Sequence, residues 1–220
     1  MLRLSALSGA AALGAGLALP EPADAAWEQE PIDTPDKALD ALKKGNERFV
    51  ERGMTTPQRR LVCPADGRPP TQTPFAAILS CADSRVPVEL LFDEGFGRLF
   101  VCRSAGNITT SELIGSLEYG VAVLGALVVV VLGHNDCGAV KETMAATPAP
   151  GQITSIYSRI YPAVARSDGN LALAIEENVK EQVMLLRRAS TVIRQREPRS
   201  VRVVGATYDL CGGAVRWLQP

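Results

Sequence analysis

The sequence is poor in several residue types, and each shortage argues against a class of protein. Only one of the 220 residues is histidine, and aromatic residues make up only 5% of the chain, so the core must be mainly aliphatic. The formal net charge is −1, and no basic stripe or arm is present. We therefore expect no nucleic-acid partner. The five cysteines form no C-x-x-C pair, which argues against a thioredoxin-like redox protein.

The remaining composition is that of an ordinary globular protein. Hydrophobic residues make up 46% of the chain and charged residues 21%, which is enough to build a full core. A chain of this length is typical of one domain. We expect that domain to span residues 26–220, with a helical arm at its N terminus.

Residues 1–25 have the pattern of a signal peptide. Arg3 provides a positive start, residues 4–19 are uncharged, and Ala23-Asp24-Ala25 has the small-x-small form of a cleavage site. An uncleaved anchor and an organellar transit segment are the alternatives. The pattern predicts an exported protein, periplasmic or secreted after cleavage near Ala25. In an oxidising compartment, cysteines tend to pair.

Hydrophobic periodicity predicts alternating helices and strands. Helices are predicted over 36–52, 153–165 and 171–186, and another is predicted to begin at a capping box of Thr109 and Glu112. Strands are predicted over 75–80, 97–101, 126–132 and 200–208. Four consecutive valines in the third strand favour burial on both faces, as in a parallel sheet. The alternation predicts an α/β fold with a mostly parallel central sheet flanked by helices.

Two short clusters of reactive residues follow two of these predicted strands. The run CADSR contains Cys81, Asp83 and Arg85, and the run GHNDCG contains His134 and Cys137. Ligands of open α/β sheets bind at the carboxyl ends of strands, so the two clusters should meet at one edge. Zinc prefers thiolate and imidazole, and three protein ligands leave a fourth position open for chemistry. Taken singly, each cysteine is as well explained as a small buried hydrophobe.

Asp83 and Arg85 are either two surface charges or a functional pair. Side chains two residues apart in an extended turn face the same way, so Arg85 can hold the carboxylate of Asp83 and lower its pKa. An ionised Asp83 can accept a hydrogen bond from a hydroxide bound to the zinc. It can also bind zinc itself as a fourth ligand and so close the site. Both alternatives remain open.

The segments CADSRVP, FDEGFGRLFVCRSAGN, SLEYGVAVLG and GHNDCGAV together resemble the beta class of carbonic anhydrases. GNERFV and GATYDL are also similar to that family, so the resemblance extends from about residue 37 to the C terminus. It implies an enzyme with one Zn²⁺ per subunit that catalyses the reversible hydration of carbon dioxide to bicarbonate and a proton. It also implies a homodimer or homotetramer whose pocket is completed across the subunit interface.

The resemblance also implies roles for individual residues. It identifies Cys81, His134 and Cys137 as zinc ligands and Asp83 with Arg85 as the catalytic dyad. Gly138 matches the glycine at which the backbone approaches the substrate. Ile78 stands where the bicarbonate-inhibited subgroup has tryptophan, so we do not expect that inhibition here.

Two rival functions remain compatible with the motifs. One is a carbonyl sulfide or carbon disulfide hydrolase with the same fold and ligands. The other is a non-catalytic zinc- or bicarbonate-binding protein. In an enzyme, the single histidine would be a ligand, so a water chain or a carboxylate would have to carry the proton to solvent.

Overall fold

The computed structural model describes residues 31–55 and 66–219. The predicted signal peptide lies outside these residues, as does Cys63. Five strands form one sheet: Ala76–Cys81 (β1), Leu99–Ser104 (β2), Val128–His134 (β3), Arg202–Tyr208 (β4) and Val215–Trp217 (β5). Their spatial order is β2-β1-β3-β4-β5. All neighbours are parallel except β4 and β5, which are antiparallel, so the mostly parallel sheet is confirmed.

Helices cover both faces of this sheet. They span Pro35–Val50 (α1), Val88–Leu91 (α2), Ser111–Ala122 (α3), Gly138–Ala145 (α4), Thr154–Ala165 (α5), Leu171–Ala189 (α6) and Thr191–Arg196 (α7), with a 3₁₀ turn at Ala105–Asn107. Alternate residues of β1 and β3 point to opposite faces. Ile78 and Val130 pack in one core with Leu42 of α1. Leu79 and Val131 pack in the other core, which includes residues of α3 and α6.

Every residue of β1 and β3 is buried, as the run of valines predicted. Burying a side chain such as valine or leucine contributes roughly 1.5–3 kcal/mol. The two central strands are therefore a rigid base for whatever lies at their carboxyl ends. No helix among the described residues is long and apolar enough to cross a membrane.

The predicted strand boundaries were wrong in a way that matters for the site. β3 begins and ends two residues later than predicted, so that Gly133 and His134 belong to the strand rather than to the loop after it. The physical reason is the parallel pairing with β4, in which Gly133 lies opposite Thr207 and His134 opposite Tyr208. β1 likewise extends to Cys81, which pairs with Ser104.

The predicted capping box was also wrong. Helix α3 is capped by Thr110, whose hydroxyl accepts a hydrogen bond from the backbone of Leu113 over 3.4 Å. Thr109 is buried and bonded instead to Gln182 of α6. Four short elements were not predicted, namely α2, α4, α7 and β5. Elements this short have little stability of their own and depend on tertiary packing.

Candidate metal centre

Two central strands and one helix position the three predicted zinc ligands. Cys81 is the last residue of β1, His134 is the last residue of β3, and Cys137 directly precedes α4. Because β1 and β3 are parallel neighbours, their carboxyl ends lie side by side. One nitrogen of His134 and the two sulfur atoms all lie within 4.8 Å of one another, and all three residues are buried. The structure therefore brings together the group that the sequence predicted.

The two ring nitrogens of His134 have different surroundings. Nδ1 lies 2.8 Å from the backbone oxygen of Asn135. Because a carbonyl oxygen can only accept, Nδ1 must carry a hydrogen, which leaves the lone pair of the neutral ring on Nε2. Nε2 is buried and has no hydrogen-bond partner among the described residues. A buried lone pair beside two sulfur atoms fits a metal cation, and this donor set is one that zinc prefers.

The two cysteines perturb each other. The Cys137 thiol donates a hydrogen bond to the Cys81 sulfur, and this outweighs burial and lowers the pKa of Cys81. The same contact raises the pKa of Cys137, because the proton is held between the two sulfur atoms. Burial lowers the pKa of His134, but its interaction with Cys81 raises that pKa overall. The two sulfur atoms thus share one proton, and a metal cation held by both cysteines would displace it, because cysteine ligands must be deprotonated.

Asp83 and Arg85 form the pair that their spacing predicted. Arg85 donates from Nε to Asp83 Oδ1 over 2.9 Å and from its terminal nitrogen to Oδ2 over 2.8 Å. These bonds hold the pKa of the Asp83 carboxyl well below its usual range. Asp83 lies beside the three-residue group, with Oδ2 3.8 Å from Nε2 of His134. Its carboxylate is thus ionised and directed by Arg85 at the edge of the site.

Arg103 is a residue of the site that sequence reasoning missed. It extends from β2 and donates hydrogen bonds to the backbone oxygens of Cys81, over 3.1 Å, and of Asp83, over 2.7 Å. It therefore fixes the turn that carries the first ligand and the carboxylate. The only signal in the sequence was its position within the run CRSAGN, which the resemblance covered without assigning it a role.

A second ion-pair network borders the site on the solvent side. Asp136 lies between the ligands His134 and Cys137 in sequence, and its carboxylate is 3.9 Å from Arg85. It also pairs with Lys141 of α4, which lowers the pKa of Asp136. Arg85 consequently lies between two carboxylates, the closer of which is Asp83.

Gly138 and Ile78 are placed differently with respect to the site. Gly138 is the first residue of α4, and a Cβ atom added there would meet no atom within 4 Å. Its backbone is therefore open to a small ligand. Ile78 is fully buried in the core on the α1 side of the sheet.

Comparison with known proteins agrees with this geometry. A family model described as carbonic anhydrase matches residues 76–215. Carbonic anhydrase 2 of Mycobacterium tuberculosis is 40% identical over 83% of this chain and 92% of that protein. The carbonic anhydrase of Mycolicibacterium smegmatis is 37% identical over 84% of this chain and 94% of that protein.

Solved structures show the same fold. The beta-carbonic anhydrase of Coccomyxa, in complex with acetazolamide, is 24% identical and superposes with a TM-score of 0.62, covering 83% of this chain and 82% of that one. One of two tetrameric beta-carbonic anhydrases of Sordaria macrospora is 22% identical, with a TM-score of 0.61 and coverage of 68% and 82%. The chain therefore belongs to the beta-class carbonic anhydrases, the family of enzymes whose general reaction is the hydration of carbon dioxide.

Proposed function

We propose that this protein is a zinc enzyme that catalyses the reversible hydration of carbon dioxide to bicarbonate and a proton. The observation that carries the proposal is the buried Nε2 of His134, which lies with the sulfur atoms of Cys81 and Cys137 and has no hydrogen-bond partner among the described residues. These three residues would hold one Zn²⁺ per subunit. Zinc bound there supplies a nucleophile near neutral pH, because it lowers the pKa of a water molecule from about 15.7 toward 7.

Asp83 and Arg85 would orient the attacking oxygen. Asp83 is held ionised by Arg85, so it can only accept a hydrogen bond from the attacking water or hydroxide. Accepting that bond leaves a lone pair of the oxygen directed away from the carboxylate, toward the substrate. In the alternative role, Asp83 would leave Arg85 and bind the metal itself, which would close the site.

The backbone at Gly138 would receive the substrate. The first N–H groups of a helix have no partner within the helix, and the missing side chain of Gly138 leaves the start of α4 accessible. Carbon dioxide is small and linear, so it needs no larger opening. The proton released must leave through a water chain or a carboxylate, since the sequence contains no second histidine.

A stopped-flow assay of carbon dioxide hydration by the zinc-loaded full chain tests this function. We expect turnover that disappears when zinc is removed by a chelator and returns when zinc is added back. Release of hydrogen sulfide from carbonyl sulfide, measured on the same sample, would favour the hydrolase instead. Bound zinc without either activity from about pH 6 to 9 would favour a binding protein.

We also propose a homodimer or homotetramer as the functional assembly. The Sordaria macrospora relatives are described as tetrameric. In this chain, β2 is an edge strand, and large apolar side chains are exposed near it: Phe96 just before β2, Tyr119 on helix α3, which packs against β2, and Val123 directly after α3. A second copy would cover them. Light scattering tests this proposal, and a fully active monomer would contradict it.

Export of the protein remains a proposal that rests on the pattern of residues 1–25 alone. If the pattern acts as a signal peptide, the mature chain begins near Ala26 and comprises the single domain of residues 26–220. N-terminal sequencing of the protein from its producing cells tests this. A start at Met1 would contradict cleavage.

A further inference from the structure

A buried chain of hydrogen bonds connects helix α6 to the sulfur of Cys81. Gly106, in the 3₁₀ turn after β2, donates its N–H to Sγ of Cys81 over 3.3 Å. The carbonyl of Gly106 accepts a hydrogen bond from Nδ2 of Asn178 over 2.9 Å. Oδ1 of Asn178 accepts from Nε2 of Gln182 over 3.1 Å. Both amide side chains lie on α6, and their exposures are 1% and 0%.

Backbone groups at the two ends of this series fix which atom donates and which accepts in every hydrogen bond between them. The backbone N–H of Thr109 can only donate, so Oε1 of Gln182 must face it, at 2.9 Å, and the Thr109 hydroxyl adds a bond of 2.8 Å. Nε2 of Gln182 therefore faces Asn178 and the carbonyl of Arg159, the latter at 3.2 Å. Nδ2 of Asn178 is left to face the carbonyl of Gly106, which can only accept. Neither side-chain amide can flip, exchanging its oxygen and nitrogen, without leaving a buried polar group unpaired.

Gly106 depends on these bonds for its orientation. Its φ is 72° and its ψ is 18°, a left-handed conformation that glycine adopts readily. A Cβ atom here would lie 2.6 Å from Ile160 and 3.2 Å from Ala139, so no side chain fits that could anchor the residue. Gly106 is therefore positioned through its two peptide groups. One contacts Cys81 and the other contacts Asn178.

We propose that Asn178 is a positioning residue for the metal centre. It holds Gly106 so that the N–H remains aimed at Sγ of Cys81, and Gln182 in turn holds Asn178. This inference rests on the proposed function, because it takes Cys81 as a ligand of the metal. A hydrogen bond to a thiolate withdraws electron density from the sulfur, and such partners orient metal ligands and tune the metal that they bind.

Cobalt(II) substituted for zinc reports directly on the sulfur atoms, through the thiolate-to-cobalt charge-transfer band in the absorption spectrum. The test variant is Asn178→Leu, which keeps the branched shape of the side chain and removes its hydrogen bonds. Gln182→Met tests the next residue in the series of hydrogen bonds, since Gln182 holds Asn178. Val183→Ala is the matched control, because Val183 is a buried residue of the same helix that packs in the apolar core.

In Asn178→Leu, the charge-transfer band should move to longer wavelength, since a sulfur that has lost its hydrogen bond gives up an electron more easily. Because Cys81 is then held less firmly in place, zinc should bind about 10- to 100-fold more weakly and should be released to a chelator correspondingly faster. Gln182→Met should shift both quantities in the same direction, but less. Val183→Ala should lower the melting temperature without moving either quantity.

A wild-type band position and release rate in Asn178→Leu would overturn the inference, as would an equal shift in Val183→Ala. If Asn178→Leu does not fold, Gln182→Met decides by the same two readouts. Absence of a thiolate-to-cobalt band in the wild-type protein is a different failure. It would overturn the proposed metal site itself, and this inference with it.

Discussion

Oδ2 of Asp83 lies 3.8 Å from Nε2 of His134, between the carboxyl ends of β1 and β3. The side chain of His134 is fully buried, whereas that of Asp83 is 17% exposed and that of Arg85 is 52% exposed. The three groups thus form a short path from the interior of the site to solvent. A carboxylate held at that distance from a buried ring nitrogen is placed to act on whatever the nitrogen binds.

Replacing any of the three proposed ligands should remove both zinc and activity. Cys81→Ser, His134→Ala and Cys137→Ser each leave two ligands, and the sequence has no other histidine to substitute. Metal analysis of the purified variants would measure zinc per subunit. Cys211→Ser is the control, because Cys211 is an exposed free cysteine on the loop before β5, and it should keep full zinc. Full zinc occupancy in a ligand variant would contradict the assignment.

Asp83→Asn and Arg85→Ala should each keep zinc but lower kcat by about 100-fold, because they remove orientation rather than a ligand. The control is the exposed pair Asp66 and Arg68, which has the same spacing and a similar hydrogen-bonded geometry. Asp66→Asn should therefore leave the rate unchanged. Near-normal hydration rates in the Asp83 and Arg85 variants would show that this pair, too, is only a surface pair.

The hydration rate should rise smoothly between about pH 7 and 8.5, as the nucleophilic water ionises. Asp83 does not produce this rise. The pKa of the Asp83 carboxyl is depressed, so this group is already ionised throughout the pH range of the assay. It loses its charge only when the pH falls through that depressed pKa. The resemblance places Ile78 where the bicarbonate-inhibited subgroup has tryptophan, so we expect added bicarbonate to act as a simple product inhibitor. A steep, cooperative loss of rate with bicarbonate would contradict this.

Glu94→Gln should raise the melting temperature at pH 7.5 and leave it nearly unchanged at pH 4. Glu94 is 8% exposed, and burial raises its pKa despite the Arg98 side chain 3.4 Å away. The folded protein therefore holds this proton more tightly than the unfolded chain. Protonated Glu94 therefore contributes to the stability of the fold at low pH, and this contribution is lost as the pH rises through the raised pKa. The exposed Glu89 is the control, and Glu89→Gln should change little at either pH.

The same substitution at two helical glycines should have opposite effects on stability. In Gly45→Ala, the new Cβ would lie 1.9 Å from the backbone oxygen of Phe92, so α1 would have to move away from α2. Overpacking of this kind costs about 1–3 kcal/mol or more. In Gly115→Ala, on the same face of α3 as Tyr119, the Cβ would meet nothing within 4 Å in the single subunit. There the substitution should stabilise by up to about 1 kcal/mol. Chemical denaturation of both variants measures the difference.

The candidate site was predictable because its residue types are rare in this chain and lie in two short segments of the sequence. Cys81 and His134 follow apolar runs that favour buried central strands, Cys137 comes three residues after His134, and neighbouring parallel strands end at one edge. The pairing of Asp83 with Arg85 needs only the two-residue spacing of a turn. What the pattern could not show is that β3 continues through Gly133 to His134, because that extension comes from pairing with β4, a strand far away in the sequence.

By itself, the sequence determined the α/β class, the buried central strands and the group of residues that could hold a metal, since these depend on local periodicity and residue type. Only the tertiary structure decided how the buried polar groups are partnered. Thr109 has the pattern of a helix cap, yet it bonds Gln182, and Asn178 faces Gly106 from a helix that is distant in sequence. A buried polar group takes whichever partner packing brings within reach, and that partner is set by the whole fold rather than by its neighbours in the chain.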